Sequence, residues 1–247
     1  MAFSGLALAL ICIVLAQWWH GGNLWGLLDG PALLIVLGGT LGAVLLQTPW
    51  SQCKGAVLAL KGMFNHAPWP FYEQASRLLN WSHLARQEGF LALESKAESL
   101  AVDDFTRQGL QWVVDGTEPQ ALEQLFENEL SRIEEQHELA AQVYEAMGGY
   151  SPTIGIIGAV LGLIQAMSNL DDPAQLGNGI AVAFVATLYG VGLANVLLLP
   201  LANRLRAIYR LELRYRELTA VGLLAIARGD GSLSISRQLA QYQEPRR

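Results

Sequence analysis

The stretch SPTIGIIGAVLGLIQAMSNLDDPAQLGNGIAVAFVATLYGVGLANVLLLP occupies residues 151–200. It contains two apolar runs, at about 151–168 and 177–199, around the acidic turn Asp171-Asp172-Pro173. No charged residue lies between Glu145 and Asp171, and none between Asp172 and Arg204. A helix rises about 1.5 Å per residue, so roughly 20 apolar residues cross the ~30 Å hydrocarbon core of a bilayer. The pair therefore reads as a transmembrane hairpin. Its first run carries Gly155, Gly158, Ala159 and Gly162, and its second carries Ala183, Ala186, Thr187, Gly190 and Ala194. Small residues three and four apart let helix backbones approach closely. These faces are expected to pack, and a second protein chain is the expected occupant.

Two further spans precede the hairpin. Residues 3–19 form an apolar run with neither a basic leader nor a small-residue cleavage site, which reads as an uncleaved span. Trp18, Trp19 and Trp25 suit the membrane interface. After a short glycine-rich loop at 20–30, residues 31–48 form the second span, opened by Pro31 and bearing Gly38, Gly39 and Gly42. The fold class is thus all-α: a four-span helical integral membrane protein with a helical cytoplasmic domain.

The remaining chain is polar. Apolar residues make up 52% of the 247 and charged ones only 15%, which favours a membrane protein over a soluble one. The expected divisions are the first two spans at 1–48, a cytoplasmic domain at 49–150, the hairpin at 151–200, and a cytoplasmic helix and tail at 201–247. Within the cytoplasmic domain, Pro68-Trp69-Pro70 breaks an early helix, and 71–115 suggests two or three short ones. A long amphipathic helix is expected from 119 to 147, with Leu122, Phe126, Ile133, Ala140, Tyr144 and Met147 at helical spacing. Gly148-Gly149 is expected to interrupt it before the third span. All 16 lysines and arginines fall in 49–150 or 201–247, and none in the loops 18–30 or 169–176. The positive-inside rule then puts both termini in the cytoplasm. The basic stretch at 204–216 adjoins a span, which argues for a membrane surface and against nucleic acid. Cys12 and Cys53 make neither a disulfide framework nor a metal site.

No Asp, Glu, Lys, Arg or His lies in the middle of any span. Ion pathways usually place an ionisable group there. Either the chain is a passive scaffold, or the ionisable group belongs to a partner helix. Thr187, one hydroxyl in an apolar run, is a candidate to face that group. The competing reading is a bond to its own i−4 carbonyl.

Four patches resemble the MotA/PomA family, the A subunits of flagellar motor stators. They are Gly21-Gly22 with Asp29 and Leu34-Ile35-Val36-Leu37-Gly38-Gly39; Ala85-Arg86-Gln87-Glu88-Gly89-Phe90-Leu91-Ala92-Leu93-Glu94; Pro152-Thr153-Ile154-Gly155-Ile156-Ile157-Gly158; and Thr187 with Pro200 followed by Gly222-Leu223-Leu224-Ala225-Ile226-Ala227-Arg228-Gly229. They occur in family order. The resemblance implies a pentameric ring of A subunits in the bacterial inner membrane, around B-subunit helices that supply the ion-binding aspartate and anchor to peptidoglycan. Ion passage would move the ring and turn the rotor. By position, Pro152 and Pro200 match the proline pair at the cytoplasmic ends of the third and fourth spans. Locally, Pro152 also suits the first turn of a helix, and Pro200 its end or a kink. Arg86 and Glu94 match the charges that engage the rotor's switch protein, and their spacing allows a similar helix face. Gln87 departs from relatives with a second basic residue there. Asp29 matches an acid near the outer mouth in sodium-driven members; locally it reads as a solvated loop carboxylate or a helix-start acid. Ala159 stands where sodium-type relatives have threonine, which points to the proton as the transported ion.

The nearest rival is an energiser of the ExbB/TolQ type, which has three spans and drives outer-membrane processes. The loop ending in Asp29 and the Arg86–Glu94 patch argue against it. No enzyme is expected, because the chain shows no nucleophile–base set, phosphate loop or metal cluster. No cofactor is expected.

Overall fold

The structure is a computed structural model that describes residues 2–19, 24–64, 69–97 and 103–242. Gly21, Gly22, Pro68 and the end of the tail, each part of a reading above, lie outside the described residues. In chain order the elements are α1 (Ala2–Trp19), a 3₁₀ turn (Leu24–Leu27), α2 (Gly30–Gln47), α3 (Trp50–Phe64) and α4 (Phe71–Glu88). A second 3₁₀ turn (Phe90–Leu93), α5 (Glu94–Ala97) and α6 (Asp104–Val114) follow. Then come α7 (Pro119–Met167), α8 (Pro173–Gly192), a π-helical segment (Leu193–Leu198), α9 (Leu199–Ala227) and α10 (Ser232–Ala240).

The apolar helices match the expected spans. α2, α7 and the continuous run Pro173–Ala227 are long and apolar enough to cross a membrane. α1 joins those three as a fourth, with 18 residues and no charged side chain. Trp18 and Trp19 at its end are exposed.

Compact packing divides the chain at different places from the membrane boundaries expected above. One unit combines 1–64 with 138–206, and the other combines 65–137 with 207–247. The difference arises because α7 and α9 have no break at 150 or 200. α7 is a single helix of 49 residues, so Gly148-Gly149 does not interrupt it and Pro152 lies inside it, past the first turn. Gly148 is needed for room: a Cβ there would lie 2.7 Å from Leu199 Cδ2. Pro152 removes one rung of the helix ladder, since it has no N–H to offer the Gly148 carbonyl. Pro200 likewise does not end its helix. The turn before it widens instead, and Leu199 N–H donates to Ala194 O, five residues back. Such π-helical turns absorb a residue that the regular ladder cannot hold.

In the first unit, Arg206 ties α9 to α7. Its guanidinium forks onto both Glu138 carboxylate oxygens, at 2.6–3.1 Å, and also pairs with Glu145. These bonds, to Glu138 first and Glu145 second, push the arginine's pKa further up. Tyr144 Oη donates to the Ala56 carbonyl at 2.9 Å and so fastens α3 against α7.

The second unit has its own core, including Leu78, Trp81, Leu93, Phe105, Leu110, Leu122, Phe126, Leu218, Leu223 and Leu239. Inside it, Gln74 Nε2 donates to Thr106 Oγ1 at 3.1 Å and to Thr219 Oγ1 at 3.0 Å. Those hydroxyls donate onward to Asp103 Oδ2 and Tyr215 O. One buried amide thereby pins α4, α6 and α9 in register. Truncating it removes two buried hydrogen bonds, though both hydroxyls keep their onward bonds, and leaves a cavity. Gln74→Ala is expected to cost about 3 kcal/mol, read as thermal unfolding of the purified protein in detergent. An unchanged melting curve would show that the network contributes nothing.

Candidate functional site

The small-residue faces of the hairpin meet each other. Ser151 Oγ donates to Gly190 O at 2.9 Å. A Cβ on Gly155 would lie 2.9 Å from Ala186 O, and one on Gly162 would lie 2.9 Å from Ala183 N. A Cβ on Gly158 would lie 2.9 Å from Ala186 Cβ. Gly179 closes the ladder against Ala166. The expectation that another chain occupies these faces is therefore corrected. Gly155, Gly158, Gly162, Ala186 and Gly190 do pack helices, but within one chain, because complementary glycines on α7 and α8 admit backbone contact. The hairpin turn is set by Asp172, which caps α8 by accepting from Ala174 N and Gln175 N. Hydrogen bonds from the Gln175 side chain, then from these backbone groups, hold its carboxyl below the usual range.

This antiparallel ladder fixes what lies on either flank. Each residue turns about 100° around its helix, so the residue after each rung points to the same flank of both helices. Pro152 follows Ser151, Ala159 follows Gly158 and Thr187 follows Ala186. These three of the five predicted pathway residues therefore share one flank. Ile156, Leu163, Phe184 and Val191 share it and are exposed. The opposite flank is covered by α2. Gly39 meets Ile154, Ile35 reaches Gly158, and Ala32 clusters with Val185 and Ala186 beside Val182 and Tyr189. Among the described residues, the Thr187 flank is thus apolar, with Pro152, Ala159 and Thr187 half-buried and its larger side chains uncovered. Pro200 lies further along, beyond the π-helical segment, and is exposed.

Thr187 makes the local bond that sequence reasoning weighed against a functional role: its hydroxyl donates to Ala183 O at 3.2 Å. Its oxygen keeps lone pairs, so it remains an acceptor toward the open flank. Asp29 is a helix-start acid. It is the N-cap of α2, and its Oδ1 accepts from Ala32 N at 2.7 Å. Tyr189, which sequence reasoning missed, bonds to both sides of that cap. Its hydroxyl accepts from Asp29 N and donates to Leu27 O. No periodicity marks such a residue, since the bond spans 160 positions.

Arg86 and Glu94 do not share a helix face. Arg86 lies in the last turn of α4 and Glu94 opens α5, with Gly89 between them at φ 84°. That left-handed residue ends α4 and turns the chain. Both charges are exposed. Arg86 also has a structural bond: Nη2 donates to Gly229 O at 2.9 Å, which brings two of the sequence patches together. Gly222 in the second of those patches packs under Leu78, where a Cβ would lie 2.6 Å from Cδ1.

Residues 97–218 match the MotA/TolQ/ExbB proton channel family. Motility protein A of Bacillus subtilis is 33% identical over 240 residues, 96% of this chain and 88% of that one. The chain belongs to the motility protein A branch of the MotA/TolQ/ExbB proton channel family. Its fold matches the Bacillus subtilis MotAB stator complex with a TM-score of 0.90 at 32% identity, covering 98% of this chain and 95% of that one. The MotAB structure from C. jejuni matches with a TM-score of 0.92 at 26% identity over the same shares. The motility protein A relatives span almost the whole chain, so the stator reading, and not the ExbB/TolQ alternative, accounts for its full length.

Proposed function

We propose that this chain is the A subunit of a flagellar motor stator, and that with a B subunit it forms a proton channel that turns ion flow into torque. The observation that carries this reading is the uncovered flank of the hairpin. It is apolar, holds one hydroxyl acceptor at Thr187, and has no acid of its own. A partner helix bearing a carboxyl group completes such a surface: its apolar side covers the flank and its acid meets the hydroxyl. Solved MotAB complexes are assemblies of just this pair of subunits, which supports a B-subunit partner here.

In this reading the flanks assemble as a pentameric ring around the B-subunit helices, in the inner membrane. Lysine and arginine placement favours cytoplasmic termini and puts 49–150 and 201–247 in the cytoplasm. Protonation of the partner's acid removes a charge from an apolar surface, and deprotonation restores it. That alternation changes which contacts the flank favours, which is the source of movement. The test is expression of this chain with its B subunit in motile cells that lack other stators. Restored rotation is expected; expressed and assembled protein without rotation would sink the proposal.

Rotor engagement is assigned to Arg86 and Glu94. Exposed charges orient and steer partners more than they stabilise folds. Because Arg86 also holds Gly229 O, the cleaner single change is Glu94→Lys. Glu94→Lys is expected to lower torque severalfold, and the double reversal with Arg86→Glu to lower it further, while co-purification with the B subunit is kept. Normal swimming of the double variant at low ionic strength would remove the assignment.

A further inference from the structure

We infer that Tyr189 is a positioning residue for ion entry: its hydroxyl fixes Asp29 at the start of α2, on the flank of α8 that faces away from Thr187. This rests on the stator reading above. Thr187 and Tyr189 are two residues apart and so point about 200° apart around one helix. One side chain faces the uncovered flank, and the other reaches α2. The Tyr189 ring packs with Val182 beside Ala32, Val185 and Ala186. Its hydroxyl accepts from Asp29 N at 3.1 Å and donates to the Leu27 carbonyl. The Asp29 carboxylate in turn accepts from Ala32 N. Backbone and side chain of this residue are thus both held. Without the hydroxyl, Asp29 N–H and the Leu27 carbonyl lose this shared partner.

Asp29 is the one Asp, Glu, Lys or Arg in residues 1–53, where His20 is the one histidine, and no lysine or arginine lies in 1–53 or 151–200. The other carboxylates bordering these segments, Asp171 and Asp172, lie at the hairpin turn, where Asp172 caps α8 as Asp29 caps α2. A fixed carboxylate at a mouth raises the local concentration of cations. Without the tyrosine hydroxyl the backbone that carries this carboxylate keeps only its α2 cap, and a less fixed carboxylate does so less effectively. Tyr189 therefore acts on the supply of protons to the site and not on the work done per proton.

The experiment uses the intact A–B stator in cells without other stators, with torque measured at fixed proton-motive force across a range of external pH. The parent chain must turn the motor; if it does not, the stator reading fails and this inference is not the cause. Tyr189→Phe keeps the ring and removes both hydrogen bonds. It is expected to assemble normally, to reach the same maximal torque, and to need about threefold more protons for half of it. Asp29→Asn is expected to shift the curve similarly, and adding Tyr189→Phe to it should shift it no further. An unshifted curve would overturn the proposal, as would a lowered maximum without a shift, or shifts that add in the double variant. Failure of Tyr189→Phe to assemble with the B subunit would assign the hydroxyl to folding and also overturn it.

Discussion

Replacing Gly190 with leucine is expected to abolish stator assembly and torque together. A Cβ at this position would lie 2.6 Å from the Ser151 carbonyl oxygen and 3.0 Å from Gly155 Cα. Both are backbone atoms of the facing helix, so no side chain can swing aside. The helices would have to separate along the ladder, and that separation would also break the Ser151–Gly190 hydrogen bond. In a bilayer no hydrophobic force holds helices together, so close packing and such bonds supply the association. Ordinary overpacking costs about 1–3 kcal/mol; a backbone clash in a ladder of this kind exceeds that range. Gly158→Leu meets the Ala186 side chain, and behind it Ile35, and is expected to be nearly as damaging. The matched control is Gly42→Leu on α2, where nothing lies within 4 Å of an added Cβ. Co-purification with the B subunit and a melting curve in detergent separate the cases. Normal assembly of Gly190→Leu would mean that α7 and α8 do not meet as described.

The same ladder shows what the sequence reveals and what it conceals. Spans and loops are legible because apolar run length and charge placement are local signals, and Asp29 before Pro31 is legible as one of two things, a helix-start acid or a loop carboxylate. Close helix packing is legible too, since Gly155, Gly158, Gly162 and Gly190 have little other use in lipid. The partner of that packing is not legible. Two complementary small-residue faces on consecutive helices fit each other as well as they fit a third helix, and only the hairpin geometry distinguishes the two. Pro152 read as a helix start, and Pro200 read as a helix end, mislead for a related reason. Proline costs a helix one hydrogen bond, but a long helix held on both sides, or one with a π-helical turn beside the proline, survives that loss. Thr187 was legible as the hydroxyl of the open flank once its rung was known, whereas Tyr189 required the fold. The Arg86–Glu94 reading failed as a helix-face argument because Gly89, at positive φ, turns the chain between them.

Removing sodium is expected to leave torque unchanged, because the coupling ion is proposed to be the proton. Sodium exchanges its hydration shell for several oxygen ligands, as hard cations do. The open flank offers few. Thr187 Oγ1 has its proton committed to Ala183 O and keeps only acceptor capacity. Ala159, on the same flank one helical step past Gly158, contributes a methyl group where sodium-type relatives are expected to have a hydroxyl. Asp29 resembles a sodium-type feature, but its carboxylate caps α2 and so serves the helix first. A proton requires much less: a partner carboxyl group, and an acceptor for the hydrogen of its neutral form. Thr187 Oγ1 is the acceptor proposed for it. Rotation driven by this chain and its B subunit, with sodium replaced by potassium at fixed proton-motive force, should therefore continue at full torque, and a protonophore should stop it. Torque that vanishes without sodium and survives the protonophore when sodium is restored would assign the channel to sodium. It would also require oxygen ligands from the partner helix to take the place that Ala159 leaves empty.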